Sequence, residues 1–183
     1  MFDENTLKDD VILITGGGSG LGLAMAKKFA SLGAHIAICG RTEEKLKKAV
    51  AQIGAENDNS QVEYYVQDVR DYEGVAGMIN NIWDDFGQMD GLVNNAAGNF
   101  LSAAEDLTPG GFKAIVDIVL HGSFNCAHSF GKRVIEAEEG GSILNIVTTY
   151  TETGSGYVLP SASAKAGVLA MGNTLAYEWA DFN

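Results

Sequence analysis

Short apolar runs alternate with longer amphipathic segments along this chain. Val11–Ile14 is an uninterrupted apolar run with the length of a buried strand, and Leu21–Leu32 then shows the three-to-four-residue spacing of an amphipathic helix. The same alternation continues to the end of the chain. It predicts further strands at residues 35–39, 62–66, 91–94 and 142–147, and further helices at residues 43–53, 72–86, about 109–136 and about 160–180.

Strictly alternating strands and helices favour a parallel sheet that is covered by helices on both faces. The predicted fold class is therefore α/β, with a doubly wound parallel sheet (Rossmann fold) in a three-layer α/β/α arrangement. No linker or repeat is visible, so residues 1–183 are predicted to form a single domain. A doubly wound sheet commonly has about six strands, and we therefore expect this domain to lack strands at its C-terminus.

Charge and composition narrow the possible functions. Twelve basic residues against 24 acidic ones give a net charge of −12, which argues against general binding of nucleic acid or of an anionic membrane surface. The absence of a signal core or of an apolar run near ~20 residues predicts a cytoplasmic protein. Cys39 and Cys126 lie in apolar segments and are predicted to be reduced, while the histidines lack partners at metal-binding spacing, so no metal is expected.

A glycine-rich turn joins the first predicted strand to the first predicted helix. Its spacing, G-x3-G-x-G, permits a tight turn and close approach of a pyrophosphate to the free N–H groups of the helix N-terminus. A flexible linker has a similar composition but would not lie between a buried strand and an amphipathic helix. The turn therefore predicts a dinucleotide site, formed by Gly16, Gly18, Ser19, Gly20, Leu21 and Gly22.

The end of the second predicted strand bears on the choice of dinucleotide. A carboxylate there would bind the adenosine ribose of NAD, whereas an arginine accommodates the 2′-phosphate of NADP. Gly40 occupies the carboxylate position and Arg41 follows it, which favours NADP(H), although Arg41 could instead be a solvated loop charge. Asp68 and Val69 are predicted to lie near the adenine edge, with Asp68 equally suited to a turn. The lysines of the next helix are interpreted as a solvated face: Lys45, Lys47 and Lys48.

A third motif, Asn94–Gly98, follows the fourth predicted strand. With the glycine-rich turn and the arginine, it makes the whole chain resemble the short-chain dehydrogenase/reductase family. The resemblance implies that this motif steadies the central strand and borders the cofactor. Those roles fall on Asn95, Ala96 and Gly98.

The usual catalytic residues of that family are only partly present. The position of its serine is taken by Thr148, the position of its tyrosine, four residues before Lys165, is taken by Ser161, and the asparagine of the long helix is replaced by Val119. A serine hydroxyl is too weak an acid to replace a phenol. We therefore do not expect an ordinary alcohol dehydrogenase or ketoreductase mechanism.

With these substitutions the chain resembles one subgroup of the family, the short-chain 2,4-dienoyl-CoA reductases. The matching stretches are residues 94–100, 117–120, Tyr150 with residues 152–156, and 160–167. This resemblance implies an NADPH-dependent oxidoreductase that acts on a CH–CH bond of an acyl-CoA thioester in fatty acid β-oxidation, yielding a 3-enoyl-CoA. It also implies a homotetramer paired through the helices that begin near Pro109 and Pro160.

The resemblance assigns carbonyl binding to Tyr150 and Asn99, the nicotinamide ribose to Lys165, and support of the site to Ser161. Hydride addition at C5 places negative charge on the thioester oxygen, so hydrogen-bond donors are needed there. Tyr157 is a rival phenol. Plainer interpretations remain: a core-packed aromatic for Tyr150, a turn for Asn99 and a helix cap for Ser161. The competing functions are another enoyl-thioester or carbonyl reductase and a non-catalytic NADP-binding scaffold.

Overall fold

A computed structural model describes residues 3, 5–57 and 60–182 of the chain, and within them five strands form one parallel sheet. The strands are β1 Val11–Thr15, β2 His35–Gly40, β3 Val62–Val66, β4 Gly91–Asn94 and β5 Ser142–Asn145. Their order across the sheet is β3-β2-β1-β4-β5, so the direction of winding reverses at β1. This confirms the predicted doubly wound fold and places a ligand crevice at the carboxyl end of β1.

Helices cover both faces of the sheet. Their bounds are α1 Gly20–Ala30, α2 Glu43–Gly54, α3 Tyr72–Phe86, α4 Pro109–Val116, α5 Gly122–Glu136, α6 Tyr150–Thr153 and α7 Leu159–Glu178. Alternate residues of β1 pack into opposite layers. Leu13 joins the cluster formed with α3 and α5, and Ile14 joins the cluster formed with α1 and α2. β1 is therefore buried on both faces, which explains its uninterrupted apolar run.

The long helix predicted over residues 109–136 begins and ends as expected, but its interior differs. Residues 117–121 form one π-helical turn between α4 and α5. The Ser123 hydroxyl donates to the carbonyl of Val119 at 2.7 Å, and Val119 is buried against Ala164 and Val168 of α7. A single π turn within a helix that continues on both sides is too short to break the overall apolar pattern, so the spacing of apolar residues did not reveal it.

The second difference lies after β5. The strand was predicted to reach Val147 but ends at Asn145, and α6 was not predicted. The carbonyl of Thr148 accepts hydrogen bonds from the backbone N–H of Thr151 at 3.2 Å and from its hydroxyl at 2.9 Å. The chain therefore turns out of the sheet just before Tyr150.

β5 forms the outer strand of the described sheet, and its Leu144 side chain is 48% exposed. That residues 1–183 form a single domain lacking C-terminal strands stays a prediction. None of the helices in the described ranges combines the length and the apolar character needed to cross a bilayer.

Candidate active site

A cavity of about 320 Å³ lies at the carboxyl ends of β1 to β4. This is the edge at which doubly wound sheets bind their ligands. The structure brings most of the predicted cofactor residues together in its wall, although they come from separate parts of the sequence. They are Gly16, Gly18, Ser19, Arg41, Asp68, Val69, Asn95 and Ala96.

The glycine-rich turn is shaped for close packing. Gly16 has a φ of +68°, in the left-handed region that favours glycine. A Cβ on Gly22 would lie 2.5 Å from the Gly16 carbonyl oxygen and 2.7 Å from Nδ2 of Asn95, so a side chain cannot be accommodated there. Ser19 is the N-cap of α1, yet its hydroxyl makes no capping hydrogen bond. The hydroxyl and the helix N-terminus are thus available to an anion.

Some predicted cofactor residues do not line the cavity. Leu21 is 57% exposed. Gly98 packs instead against the cavity residue Ile118, to which an added Cβ would come within 3.4 Å. The predicted cofactor residues outside the cavity wall are Gly20, Leu21, Gly22, Gly98 and Lys165.

Thr15, which sequence reasoning missed, connects β1 to the loop after β4. Its buried hydroxyl accepts hydrogen bonds from the backbone N–H groups of Asn95 at 3.0 Å and Ala96 at 2.9 Å, and donates to the Val93 carbonyl at 3.3 Å. In return, Nδ2 of Asn95 donates to the Thr15 carbonyl at 2.9 Å. A threonine ending an otherwise apolar strand was the available signal. These bonds hold Asn95 and Ala96 in the cavity wall.

The Thr15→Val substitution is expected to lower the free energy of unfolding by roughly 1–3 kcal/mol, because it leaves the part-buried Ala96 N–H without its acceptor, whereas the Asn95 N–H keeps the Val93 carbonyl at 3.0 Å. Thr15→Ser keeps the hydroxyl and removes one methyl group, and should cost only about 1 kcal/mol. Urea denaturation of both variants measures the difference. Equal losses for the two variants would contradict a role for the hydroxyl.

The end of the cavity that was predicted to bind adenosine carries the positive charge of Arg41. Arg41 is exposed and lines the wall. Within 4 Å of a Cβ placed on Gly40 there is one atom, Cδ2 of Leu46 at 3.5 Å. No side chain therefore stands where an NAD-binding carboxylate would lie. Asp68 lines the wall and also forms a turn, since it accepts from the Arg70 backbone and side chain at 3.0 Å. The hydrogen bond from Arg70 lowers the pKa of Asp68, and the charge of Arg41 adds a smaller effect.

Lys45, Lys47 and Lys48 of α2 are all exposed, as predicted, but they differ in what they lie beside. Lys45 lines the cavity together with Thr42, whereas Lys47 forms an ion pair with Glu43 at 2.9 Å and lies outside the wall. A basic residue in the first turn of the helix that follows Arg41 was the available signal. Other wall residues that were not predicted are Cys39, Leu46, Gln67, Ala97 and Ile118.

A second group of polar side chains lies where α6 meets α7. Ser161 and Lys165 are one helical turn apart on α7, and they are only 5% and 6% exposed. Oη of Tyr150, at the start of α6, lies 3.3 Å from Oγ of Ser161. Nζ of Lys165 donates to the carbonyl of Ile146, and burial lowers the pKa of Lys165.

The phenol thus reaches the α7 site from outside that helix. Tyr157, the rival, is 65% exposed, and its backbone has a φ of +65° with its carbonyl accepting from the Ser102 N–H at 3.1 Å. Asn99 is exposed and, within the described ranges, hydrogen-bonds to neither Tyr150 nor Lys165. The structure therefore brings Tyr150, Ser161 and Lys165 together and leaves Asn99 apart.

Cys39 lies in the cavity wall, whereas His128 lies outside it. Burial raises the pKa of the Cys39 thiol to about 12, so this cavity residue is not a thiolate at neutral pH. His128 lies 3.0 Å from the Tyr72 hydroxyl on the outer side of α5. Across the described part of the chain, no three His, Cys, Asp or Glu side chains are grouped to hold a metal ion.

Comparison with known proteins gives consistent matches. The profile of the family described as short chain dehydrogenase matches residues 10–183. A probable 2,4-dienoyl-CoA reductase of Bacillus subtilis (strain 168), named as (2E)-enoyl-CoA-producing, is 43% identical over 173 residues, covering 94% of this chain and 67% of the relative. A probable 2,4-dienoyl-CoA reductase 3 of Caenorhabditis elegans, named as (3E)-enoyl-CoA-producing, is 41% identical over 180 residues, covering 98% of this chain.

A solved structure is similar along most of the chain. A short chain dehydrogenase from Bacillus anthracis is 46% identical with a TM-score of 0.91, over 95% of this chain and 71% of that one. The present chain spans only 58% of the length of the Caenorhabditis elegans relative.

Proposed function

This chain belongs to the short chain dehydrogenase family of oxidoreductases, and we propose that it acts as an NADPH-dependent reductase of 2,4-dienoyl-CoA thioesters. The observation that carries the proposal is the position of the Tyr150 hydroxyl, 3.3 Å from the Ser161 hydroxyl that stands where the family has its tyrosine. The names of the two relatives support the same substrate class.

The residues present suit a dinucleotide cofactor of this family. The cavity offers an uncapped helix N-terminus at Ser19 for a pyrophosphate and an arginine, Arg41, for a 2′-phosphate. Lys165 would hold the nicotinamide ribose, as the resemblance implies. When bound, the reduced nicotinamide supplies the hydride that adds to C5 of the dienoyl group.

The chain's own part in the reaction is to stabilise charge on the thioester oxygen. The Tyr150 hydroxyl donates a hydrogen bond to that oxygen, and the Asn99 amide is the second donor. One donor of this kind contributes about 3–4 kcal/mol to transition-state stabilisation. The proton that completes the reaction goes to carbon, so Tyr150 keeps its own proton. This removes the need for a tyrosine four residues before Lys165.

The buried lysine should give the reaction an alkaline limit. The protonated Lys165 ammonium stabilises the negatively charged groups of the substrate and the cofactor. Burial lowers the pKa of Lys165 below the ordinary 10.5. We therefore expect kcat/KM to fall as the pH rises through this lowered pKa, where Lys165 loses its charge. In Lys165→Arg, which stays protonated, the alkaline limb should disappear. An unchanged pH profile for that variant would assign the limb to another group.

Substrate choice is tested by following NADPH oxidation with a 2,4-dienoyl-CoA, a 2-enoyl-CoA and a panel of ketones. The proposal expects turnover of the dienoyl-CoA above the others. Preference for a 2-enoyl-CoA or a ketone would instead support another reductase of the family. NADPH binding without any turnover would support the non-catalytic scaffold.

The double bond of the product follows from where the dienolate is protonated. Protonation at C2 gives the 3-enoyl-CoA that we propose, and protonation at C4 gives the 2-enoyl-CoA. The two relatives carry names that differ on this point. Proton NMR of the product from the reaction in D₂O identifies the labelled carbon.

The proposed assembly is a homotetramer in which α4–α5 and α7 pair with their copies. Phe124 on α5 is 45% exposed, which is compatible with a contact surface. Multi-angle light scattering of the purified protein measures the mass. The cytoplasmic location stays a prediction.

A further inference from the structure

We propose that a pocket between α3 and α5 binds a small oxyanion of the phosphate type. The pocket has a volume of about 150 Å³, less than half that of the cavity at the strand ends. None of its lining residues belongs to that cavity. The inference therefore goes beyond the proposed reductase and does not depend on it.

One face of each helix forms the pocket. Each helix contributes side chains spaced three or four positions apart, which fall on one side of a helix. The lining residues of α3 are Tyr72, Ala76, Ile79 and Asn80, and those of α5 are Ser129, Lys132, Arg133 and Glu136. The charged side chains of the pocket thus all come from α5.

A buried hydroxyl of the pocket lacks a hydrogen-bond partner. Ser129 is only 7% exposed, and its Oγ makes no hydrogen bond within the described ranges. The hydroxyl of Ser123, on the same helix, does have a partner, because it donates to the carbonyl four residues earlier. Leaving a buried hydroxyl unpaired costs free energy, so such a group calls for an explanation. A ligand oxygen at the floor of the pocket would supply the missing acceptor.

Positive charge predominates around the pocket. Cζ of Arg133 lies 4.2 Å from the centroid of the Trp83 ring, and within the described residues Arg133 forms no ion pair. Nζ of Lys132 is 3.8 Å from Glu136, and both side chains are more than half exposed, so this pair is weak. In a protein of net charge −12, two cations here stand against one carboxylate.

This set of groups suits an oxyanion. Arg133 offers a planar pair of donors, Lys132 offers a point charge, and the Ser129 hydroxyl adds a neutral donor. Phosphate has four oxygens that can accept from them. The Tyr72 hydroxyl is already engaged, 3.0 Å from Nδ1 of His128. A volume of about 150 Å³ is too small for a nucleotide, so the ligand is a free ion or the phosphate group of a small ester.

The two tryptophans of the chain allow a local measurement of binding. Trp83 lies beside Arg133, whereas Trp179 packs against Gly131, which does not line the pocket. In proton–nitrogen correlation spectra, sodium phosphate at constant ionic strength should shift the Trp83 indole signal to saturation and leave the Trp179 signal nearly unchanged. The Trp83→Phe variant identifies the two signals. Glycerol 3-phosphate is titrated in parallel with inorganic phosphate.

Two variants test the pocket itself. Ser129→Ala should raise the dissociation constant for phosphate about tenfold, the effect of losing one hydrogen bond to a charged group, while its Tm equals or exceeds that of the wild type. Lys132→Gln should raise the dissociation constant about threefold. The matched control is Lys48→Gln, which changes an exposed lysine outside the pocket and should bind phosphate as the wild type does.

A saturable shift of the Trp83 signal that both pocket variants weaken supports the site. Tighter binding of glycerol 3-phosphate then identifies an ester as the ligand, and tighter binding of inorganic phosphate identifies the free ion. The inference is overturned if phosphate shifts the Trp83 signal no more than sodium chloride does, since the pocket would then hold only water. It is also overturned if Ser129→Ala binds phosphate as Lys48→Gln does. A lower Tm for Ser129→Ala counts against it as well, because the hydroxyl would then have a structural partner.

Discussion

The Tyr150→Phe substitution is expected to lower kcat for a 2,4-dienoyl-CoA roughly 100- to 1000-fold, the usual effect of removing one oxyanion donor. The phenylalanine keeps the ring and its packing but loses the hydroxyl that lies near Ser161. Tyr150 does not line the cofactor cavity, so the dissociation constant for NADPH should change by less than about twofold. Steady-state kinetics and calorimetry measure the two quantities.

Tyr157→Phe is the matched control, because it makes the same change to the rival phenol. That side chain is 65% exposed, and the variant should retain nearly wild-type kcat. If Tyr157→Phe loses turnover and Tyr150→Phe does not, the catalytic phenol has been assigned to the wrong residue. A loss of NADPH binding in Tyr150→Phe would indicate a structural role.

The Arg41→Asp substitution is expected to weaken NADPH binding roughly 100-fold or more and to shift the cofactor preference toward NADH. It removes a charge-assisted contact, which contributes about 10- to 100-fold, and adds like-charge repulsion. The new carboxylate would lie beside Gly40, where it can accept a hydrogen bond from the adenosine ribose hydroxyl of NADH. The ratio of kcat/KM for NADPH to that for NADH measures the shift.

Lys48→Asp controls for the change of net charge, since it places the same substitution on an exposed residue outside the cavity. Its cofactor ratio should stay close to that of the wild type. An unchanged ratio in Arg41→Asp would mean that another residue selects the cofactor. Fold integrity of both variants is checked by thermal unfolding.

The fold was predictable because burial is periodic within each element. The run at Val11–Ile14 is apolar since β1 is buried on both faces, and this is visible without knowing its neighbours. The spacing of the glycines likewise predicted the tight turn after β1. The interior of the helix over residues 109–136 was not predictable, because a π turn alters hydrogen bonding and not composition.

The candidate site was predictable in part. Residues at strand ends, such as Arg41 and Asn95, fall in the cavity because the carboxyl ends of parallel strands share one edge. The place of Lys45 in the cavity wall was not predicted, because three lysines on one helix have similar local sequence and only the packing of α2 against Gly18 distinguishes them. Thr15 was missed because its partners lie about 80 positions away.

By itself, the sequence determined the order of strands and helices, the glycine-rich turn after β1 and the absence of a phenol four residues before Lys165. These are local properties of residue type and spacing. Only the tertiary structure decided that Tyr150 approaches Ser161 and that Lys45 shares a wall with Arg41. Both depend on where the backbone turns between elements, which is set by packing among residues distant in sequence.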